Sequence, residues 1–370
     1  MRIIYLSRSL LPSKAANSVQ VMKMCQALAQ QGHELHLVAA RYTPMPLDSL
    51  FDYYGVSNRF KITLLKGRTD KVHGLFFYLL RFYFFLKKTA IPDLIFSRDL
   101  FTLTLATFFY NVPFYFEAHK PPTSFIHFCL TRRLMRNRNL KKLIVITNAL
   151  QEEYRRLFPE LPEEKIMVAP DGSDIPDSDG VEDTVLPNSR PTIGYVGSLY
   201  PGRGLEIILE LAKRLPQYDF LVVGGSEKDV ERWRNSCISQ ENLCFTGHVP
   251  PGELARYYRK IDIVLAPYQE KVAIPGGGDT ARWMSPLKIF EYMAYGKPII
   301  ASDLPALKEI LIHGHNALLC PPGRLDEWTR AVQLLAGDQN LRDRLAAAAF
   351  SCLQEKYTWE KRAAQILEGL

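Results

Sequence analysis

The stretch Ser285-Pro286-Leu287-Lys288-Ile289-Phe290-Glu291-Tyr292-Met293-Ala294-Tyr295-Gly296-Lys297-Pro298 places an anion-binding charge and a hydroxyl-binding carboxylate one helical turn apart. It predicts a short helix with Ser285 as cap and Pro286 in the first position, stopped by Gly296 and Pro298. A helix start offers free N–H groups and about half a positive charge, which suits phosphate. Lys288 adds a full charge in the first turn, where a purely structural helix would sooner carry Asp or Glu. Glu291 can accept hydrogen bonds from a hydroxyl pair such as that of a ribose. A diphosphate at the helix start with a ribose beside it describes a nucleotide-sugar.

A second phosphate-type loop is Gly197-Ser198-Leu199-Tyr200-Pro201-Gly202-Arg203-Gly204-Leu205-Glu206. It falls short of a P-loop, because Arg203 stands where Lys is needed and Gly204 replaces the magnesium-binding Ser or Thr. As a loop that holds phosphate without metal it is coherent: glycines admit the backbone, and Arg203 can grip two oxygens. Taken alone it reads equally well as a turn leading into a helix.

The elements that must position these loops follow from the pattern of apolar runs. Seven short stretches, from Arg2–Leu6 to Ile166–Val168, alternate with helical patterns; six more run from Thr192–Val196 to Ala317–Leu319. This predicts an α/β chain of two doubly wound, Rossmann-like domains whose ligand loops follow the strand ends and face an interdomain cleft. The expected boundaries are 1–175 for the first domain, 176–190 for a polar linker, 191–355 for the second domain and 356–370 for a C-terminal helix packing back toward the first. The linker's Asp177-Ser178-Asp179 is not read as a metal site.

Charge is divided unevenly. Residues 1–150 carry 21 Lys and Arg against 7 Asp and Glu, whereas residues 151–370 carry 25 against 32. The first half is therefore expected to meet an anionic partner. The aromatic run Leu75–Lys88 and the acid-free segment 118–151, with Arg132, Arg133, Arg136 and Arg138, suit contact with an anionic membrane surface. A buried helix with a basic, solvated tip is the alternative reading, and nothing resembles a nucleic-acid-reading module. The six cysteines form no zinc spacing and are expected to be reduced, mostly buried thiols. Neither the N-terminus nor the uncharged run 100–116 has the form of a signal peptide or a spanning helix, so a cytoplasmic or peripheral location is expected.

Ser-Pro-Leu-Lys-x-Phe-Glu-Tyr-Met-Ala-x-Gly-Lys-Pro resembles the donor-site signature of the retaining, two-Rossmann-domain (GT-B) glycosyltransferases of family 4. Gln31-Gly32-His33-Glu34-Leu35, Asp171-Gly172-Ser173-Asp174 and Tyr357-Thr358-Trp359 resemble further steps of that family in the same order. The resemblance implies a metal-independent hexosyltransferase without a resident cofactor, acting in cell-envelope or exopolysaccharide synthesis. The donor would be a UDP-hexose, UDP-glucose first, and the acceptor a saccharide or lipid-linked saccharide. It assigns Arg203 and Lys288 to the donor diphosphate, Glu291 to the ribose and His119 to the donor sugar. Asn17, Ser198, Gly225, His248, Val249, Gly277, Gly278, Ser285 and Leu287 complete the expected donor site.

Two departures from the family pattern stand out. Ala15-Ala16-Asn17-Ser18 replaces paired glycines, and Trp283 stands where many members carry a second glutamate. They keep open a non-catalytic nucleotide-sugar-binding scaffold; a sugar-nucleotide epimerase, which could share the two-domain fold and bind the same donor, is the other alternative.

Overall fold

Parallel strands covered on both faces need apolar side chains throughout, and the short apolar runs form two separate, all-parallel sheets. The structure, a computed structural model, describes residues 1–41, 43–56, 60–67, 72–176, 190–236, 240–273 and 278–369, with residue 72 described in its backbone alone. The first sheet comprises β1 (Arg2–Leu11), β2 (Glu34–Arg41), β3 (Lys61–Lys66), β4 (Leu94–Ser97), β5 (Phe114–Ala118), β6 (Leu140–Val145) and β7 (Ile166–Val168), in the order β3-β2-β1-β4-β5-β6-β7. The second comprises β8 (Thr192–Val196), β9 (Asp219–Val223), β10 (Leu243–Gly247), β11 (Ile263–Ala266), β12 (Ile299–Ser302) and β13 (Leu318–Cys320), in the order β10-β9-β8-β11-β12-β13. Both orders reverse direction beside the first strand of their sheet, as doubly wound folds do.

The chain divides into two compact units. The first is Met1–Pro170 with Trp359–Leu370, and the second is Asp171–Thr358. The division at Pro170 precedes the boundary read from the sequence because the next residues bond into the second unit: the Asp171 N–H donates to Ser285 Oγ and the Ser173 N–H to the Tyr357 carbonyl. The chain rejoins the first unit at Trp359, and the helix Trp359–Leu367 packs on Ala16–Gln30. Most of the expected linker, including Asp177 and Asp179, lies outside the described residues.

Within the first unit, Tyr5 stacks on Phe96 between neighbouring strands, with ring centroids 4.8 Å apart. Buried β1 ends five residues later than its apolar run suggests, because Leu10 and Leu11 resume pairing with Ala40 and Arg41 after an irregularity. In the second unit two apolar clusters cover the sheet. One is built around Ile289, Phe290, Tyr292 and Met293, the other around Ile208, Leu211, Trp328 and Val332. The expectation of mostly buried thiols is corrected for the described cysteines: Cys25 and Cys320 are buried, whereas Cys129 and Cys244 are exposed.

Candidate anion site and the polar strand tip

Three loops at the carboxyl ends of β8, β9 and β10 are tied to one another by backbone hydrogen bonds. The Gly197 N–H donates to the Val223 carbonyl at 2.8 Å, and the Gly224 N–H to the Gly247 carbonyl at 2.9 Å. Gly224 has a φ of +119°, and a Cβ there would lie 2.1 Å from the Gly197 carbonyl oxygen, so only glycine allows the loops to close this tightly. Gly225, Ser198, His248 and Val249 all sit in this cluster of loops. Ser226 and Asp229 form a capping box on the next helix, Glu227–Asn235, which fixes where the Gly224–Gly225 turn ends.

The loop after β8 delivers Arg203 to the start of the helix Leu205–Arg214. Gly204 caps that helix at a φ of +79°, and a Cβ on it would lie 1.7 Å from the Pro267 carbonyl oxygen. Gly204→Ala is therefore expected to destabilise the second unit by about 2 kcal/mol or more. It should also displace Arg203, which would appear in thermal melts as a lower midpoint and a smaller upward shift on adding pyrophosphate.

The signature helix spans Leu287–Ala294, and here one expectation is corrected. Ser285 does not cap it; Pro286 occupies the cap position with no side-chain bond, and the Ser285 hydroxyl accepts from the Asp171 N–H at 2.9 Å. The amides of Leu287 and Lys288, which open the helix, have no backbone acceptor among the described residues. Gly296, at a φ of +57°, ends the helix as expected.

Lys288 is the unusual group. It is buried, yet its Nζ has no hydrogen-bond partner. It lies 3.7 Å from the ring centre of Tyr195 and 5.0 Å from that of Tyr268, an aromatic shelf that holds a cation without neutralising it. The Tyr195 hydroxyl donates to the Ser198 carbonyl at 2.6 Å, so the shelf is fastened to the phosphate-type loop. Burial, and then the nearby Arg203 charge, push the Lys288 ammonium well below the usual lysine range, against an upward pull from Glu291.

The Arg203 guanidinium lies 5.2 Å from the Tyr268 ring centre, and its Nε is likewise buried without a partner. Two crowded cations with unfilled donors, beside an open helix start, form a site that gains stability from a multivalent anion. Glu291, one turn along, accepts a hydrogen bond from the Tyr258 hydroxyl at 2.9 Å, and Tyr258 stacks on Tyr295 with ring centroids 4.1 Å apart. This bond fixes the direction of the half-buried carboxylate.

The remaining expected residues of this unit are placed as follows. Gly278 precedes Asp279, whose carboxylate accepts from the Val272 and Ala281 N–H groups; these bonds hold it below the usual carboxylate range. Gly277 lies outside the described residues. Trp283 is half-buried under the Arg282 guanidinium, 4.6 Å from the ring centre.

In the first unit, His119 follows β5 and its Nε2 lies 2.6 Å from Glu117 Oε1. Glu117 is fully buried, and Oε1 also receives Gln20 Nε2 at 2.7 Å and the Arg362 guanidinium at 3.2 Å. Burial alone would raise the Glu117 pKa, but Arg362 and then the His119 bond outweigh it and hold the group far below the usual carboxylate range. Arg98 bonds to Gln20 and to the Asn17 carbonyl, so Asn17, Arg98, Gln20, Glu117 and His119 form one polar chain at the strand tips.

Glu117, Arg362 and the tyrosine shelf were not singled out from the sequence. A carboxylate inside the apolar run Phe114–Ala118 was a readable sign that a buried cation must lie nearby. Nothing local identified Arg362 as that cation.

Comparison with known proteins adds kinship to this geometry. Residues 18–175 match the model described as Glycosyltransferase Family 4, and residues 190–338 the model described as Glycosyl transferases group 1. A phosphatidyl-myo-inositol mannosyltransferase of Mycolicibacterium smegmatis is 27% identical over 49% of this chain and 45% of its own length. A D-inositol 3-phosphate glycosyltransferase of Stackebrandtia nassauensis is 25% identical over 49% of this chain and 42% of its own length. The chain thus matches less than half the length of these two curated relatives.

Among solved structures, the sucrose-phosphate synthase of Thermosynechococcus elongatus superposes with a TM-score of 0.75 at 19% identity, covering 99% of this chain and 97% of that one. The Anabaena protein HepE in complex with UDP-glucose gives 0.72 at 16% identity, with both chains fully covered. These likenesses establish the GT-B fold. Neither the scaffold nor the epimerase reading is favoured by any of these matches.

Proposed function

The chain belongs to the family-4, group 1 glycosyltransferases, and from the site in its second unit we propose that it is a retaining hexosyltransferase using a nucleoside-diphosphate sugar. The observation that carries this reading is the buried, unpartnered Lys288 ammonium beside Arg203 at an open helix start. Such a pair is preorganised for the charge that builds on a departing diphosphate, the kind of fixed electrostatic help that usually dominates catalysis. Lys288 and Arg203 meet that charge in place of a divalent cation. Glu291, fixed by Tyr258, takes the ribose hydroxyls, and the loops at Gly225 and His248–Val249 take the base.

In the reaction, the sugar C1–O bond to the diphosphate breaks while a C1–O bond to the acceptor hydroxyl forms on the same face. The acceptor's proton leaves with the nucleoside diphosphate. His119, oriented by Glu117, stabilises the donor sugar. UDP-glucose, the molecule held by HepE, is the first donor to try. The acceptor is a saccharide or a lipid-linked saccharide of an envelope polymer, which agrees with a relative that mannosylates a phosphatidylinositol.

A thermal-shift and calorimetric panel of UDP, GDP, ADP and their sugars in EDTA tests the donor site. One nucleoside diphosphate should stabilise the protein without metal, and its sugar should be consumed on adding acceptor. A folded sample that binds none of them would refute the reading.

A further inference from the structure

We propose that the first unit docks on an anionic lipid bilayer through an apolar groove formed by the helices Val72–Lys88, Leu100–Phe109 and Phe125–Met135. This goes beyond the donor site and does not depend on it.

The helix Val72–Lys88 has two apolar faces where a surface helix normally has one. Tyr78, Phe82 and Leu86, spaced four residues apart, are buried. Phe76, Leu80 and Phe84, also spaced four apart, form a second stripe that points outward, with Phe76 64% and Phe84 53% exposed. A basic tip on a buried helix does not account for this stripe. Across from it stands Phe108 on the second helix, 68% exposed. Between them lies an open groove of about 460 Å³, lined by Phe76, Leu80, Tyr83, Phe101, Phe108 and Leu130 among others, with no charged residue and only the Thr104 and Tyr83 side chains bearing a hydroxyl. A groove so poor in polar groups cannot orient a sugar or a nucleotide, but it can take a hydrocarbon chain.

The charge around the groove selects the partner. The three helices contain no Asp or Glu, and carry Arg81, Lys87, Lys88, Arg132 and Arg133. Arg132 is paired with Glu160, but the others have no acidic partner among the described residues. The Arg133 guanidinium lies over the Phe108 ring at 3.8 Å, and Lys87 over Tyr83 at 4.7 Å. Arg133 and Lys87 therefore edge the apolar surface, the arrangement that suits acyl chains below and anionic headgroups above. Two copies of the same basic face would repel each other, which argues against a second copy as the occupant. No described helix is long and apolar enough to cross a membrane, so the contact is interfacial.

The test is co-sedimentation of the full chain with vesicles of phosphatidylcholine alone or mixed with phosphatidylglycerol. Binding should require phosphatidylglycerol and fall with salt. Lys87→Gln with Lys88→Gln should weaken it roughly 25-fold, at about fivefold per basic residue. Phe76→Ser with Phe84→Ser should abolish it while leaving the circular-dichroism spectrum and the thermal midpoint of the ligand-free chain at their wild-type values, which certifies folding. No binding by the wild type, or unchanged binding by both variants, would overturn the proposal. So would a dimer in sedimentation velocity that the Phe76→Ser, Phe84→Ser variant dissociates.

Discussion

Lys288→Met is expected to make the ligand-free protein more stable and to remove its response to nucleoside diphosphates. In the free protein, folding must either strip the Lys288 proton or bury its charge without a partner, and both cost free energy. Methionine has a similar length and packs on the Tyr195 and Tyr268 rings without that cost. A gain of about 1–2 kcal/mol, or roughly 2–8 °C in the midpoint of the second unit, is expected.

The pH dependence has a definite sign. The folded pKa lies below the unfolded value, so the unfolded chain binds more protons between the two, and wild-type stability should rise with pH up to the ordinary lysine range. The methionine variant should lack that slope. Diphosphate binding has the opposite sense: the anion restores the ammonium, so binding takes up protons and weakens as pH rises. Calorimetry in buffers of different ionisation enthalpy reads this uptake directly.

The same substitution should weaken diphosphate binding by roughly 10- to 100-fold, the worth of a charge-assisted hydrogen bond. Turnover should fall by about 10²–10³, as when one fixed donor to a developing anion is removed. A variant that is less stable than wild type yet still binds nucleotide would show Lys288 to be a packing residue.

The parts of the chain that were legible from sequence share a physical character. Strands buried on both faces read as nearly continuous apolar runs, so the alternation of β4, β11 or β12 with helices was plain. Arg203 and Lys288 were legible because their meaning lies in neighbours a few residues away: a glycine loop and a helix start. Ser285 misled because a serine before a helix usually caps it, and here the Asp171 N–H, distant in sequence, takes its hydroxyl. Tyr195 lies within β8 and Tyr268 just past the end of β11, and both are buried in the core; their second role as a shelf depends on a lysine from another element. The outward stripe of Phe76, Leu80 and Phe84 was visible as aromatic content, but the sequence could not say which of two apolar faces the sheet would cover.

Glu117→Gln is the matching experiment in the first unit. It leaves the Arg362 guanidinium buried without its counter-charge, and breaking one side of a buried pair typically costs about 3–5 kcal/mol. Because the folded pKa of Glu117 is depressed, its contribution to stability is present above the unfolded carboxylate value and is lost as pH falls through and below that value. The variant should therefore melt earlier at neutral pH but lose less on acidification than the wild type.

Arg362→Met added to Glu117→Gln removes both charges and should recover much of the lost stability, since an apolar replacement of a whole buried pair is often close to neutral. It should not recover turnover, because His119 Nε2 no longer faces a carboxylate. Stability and activity then separate along one polar chain. If the double variant regains both, Glu117 serves only to neutralise Arg362, and His119 needs no orienting partner. If it regains stability alone, with donor binding intact and kcat still depressed, Glu117 acts through His119 on the reacting sugar.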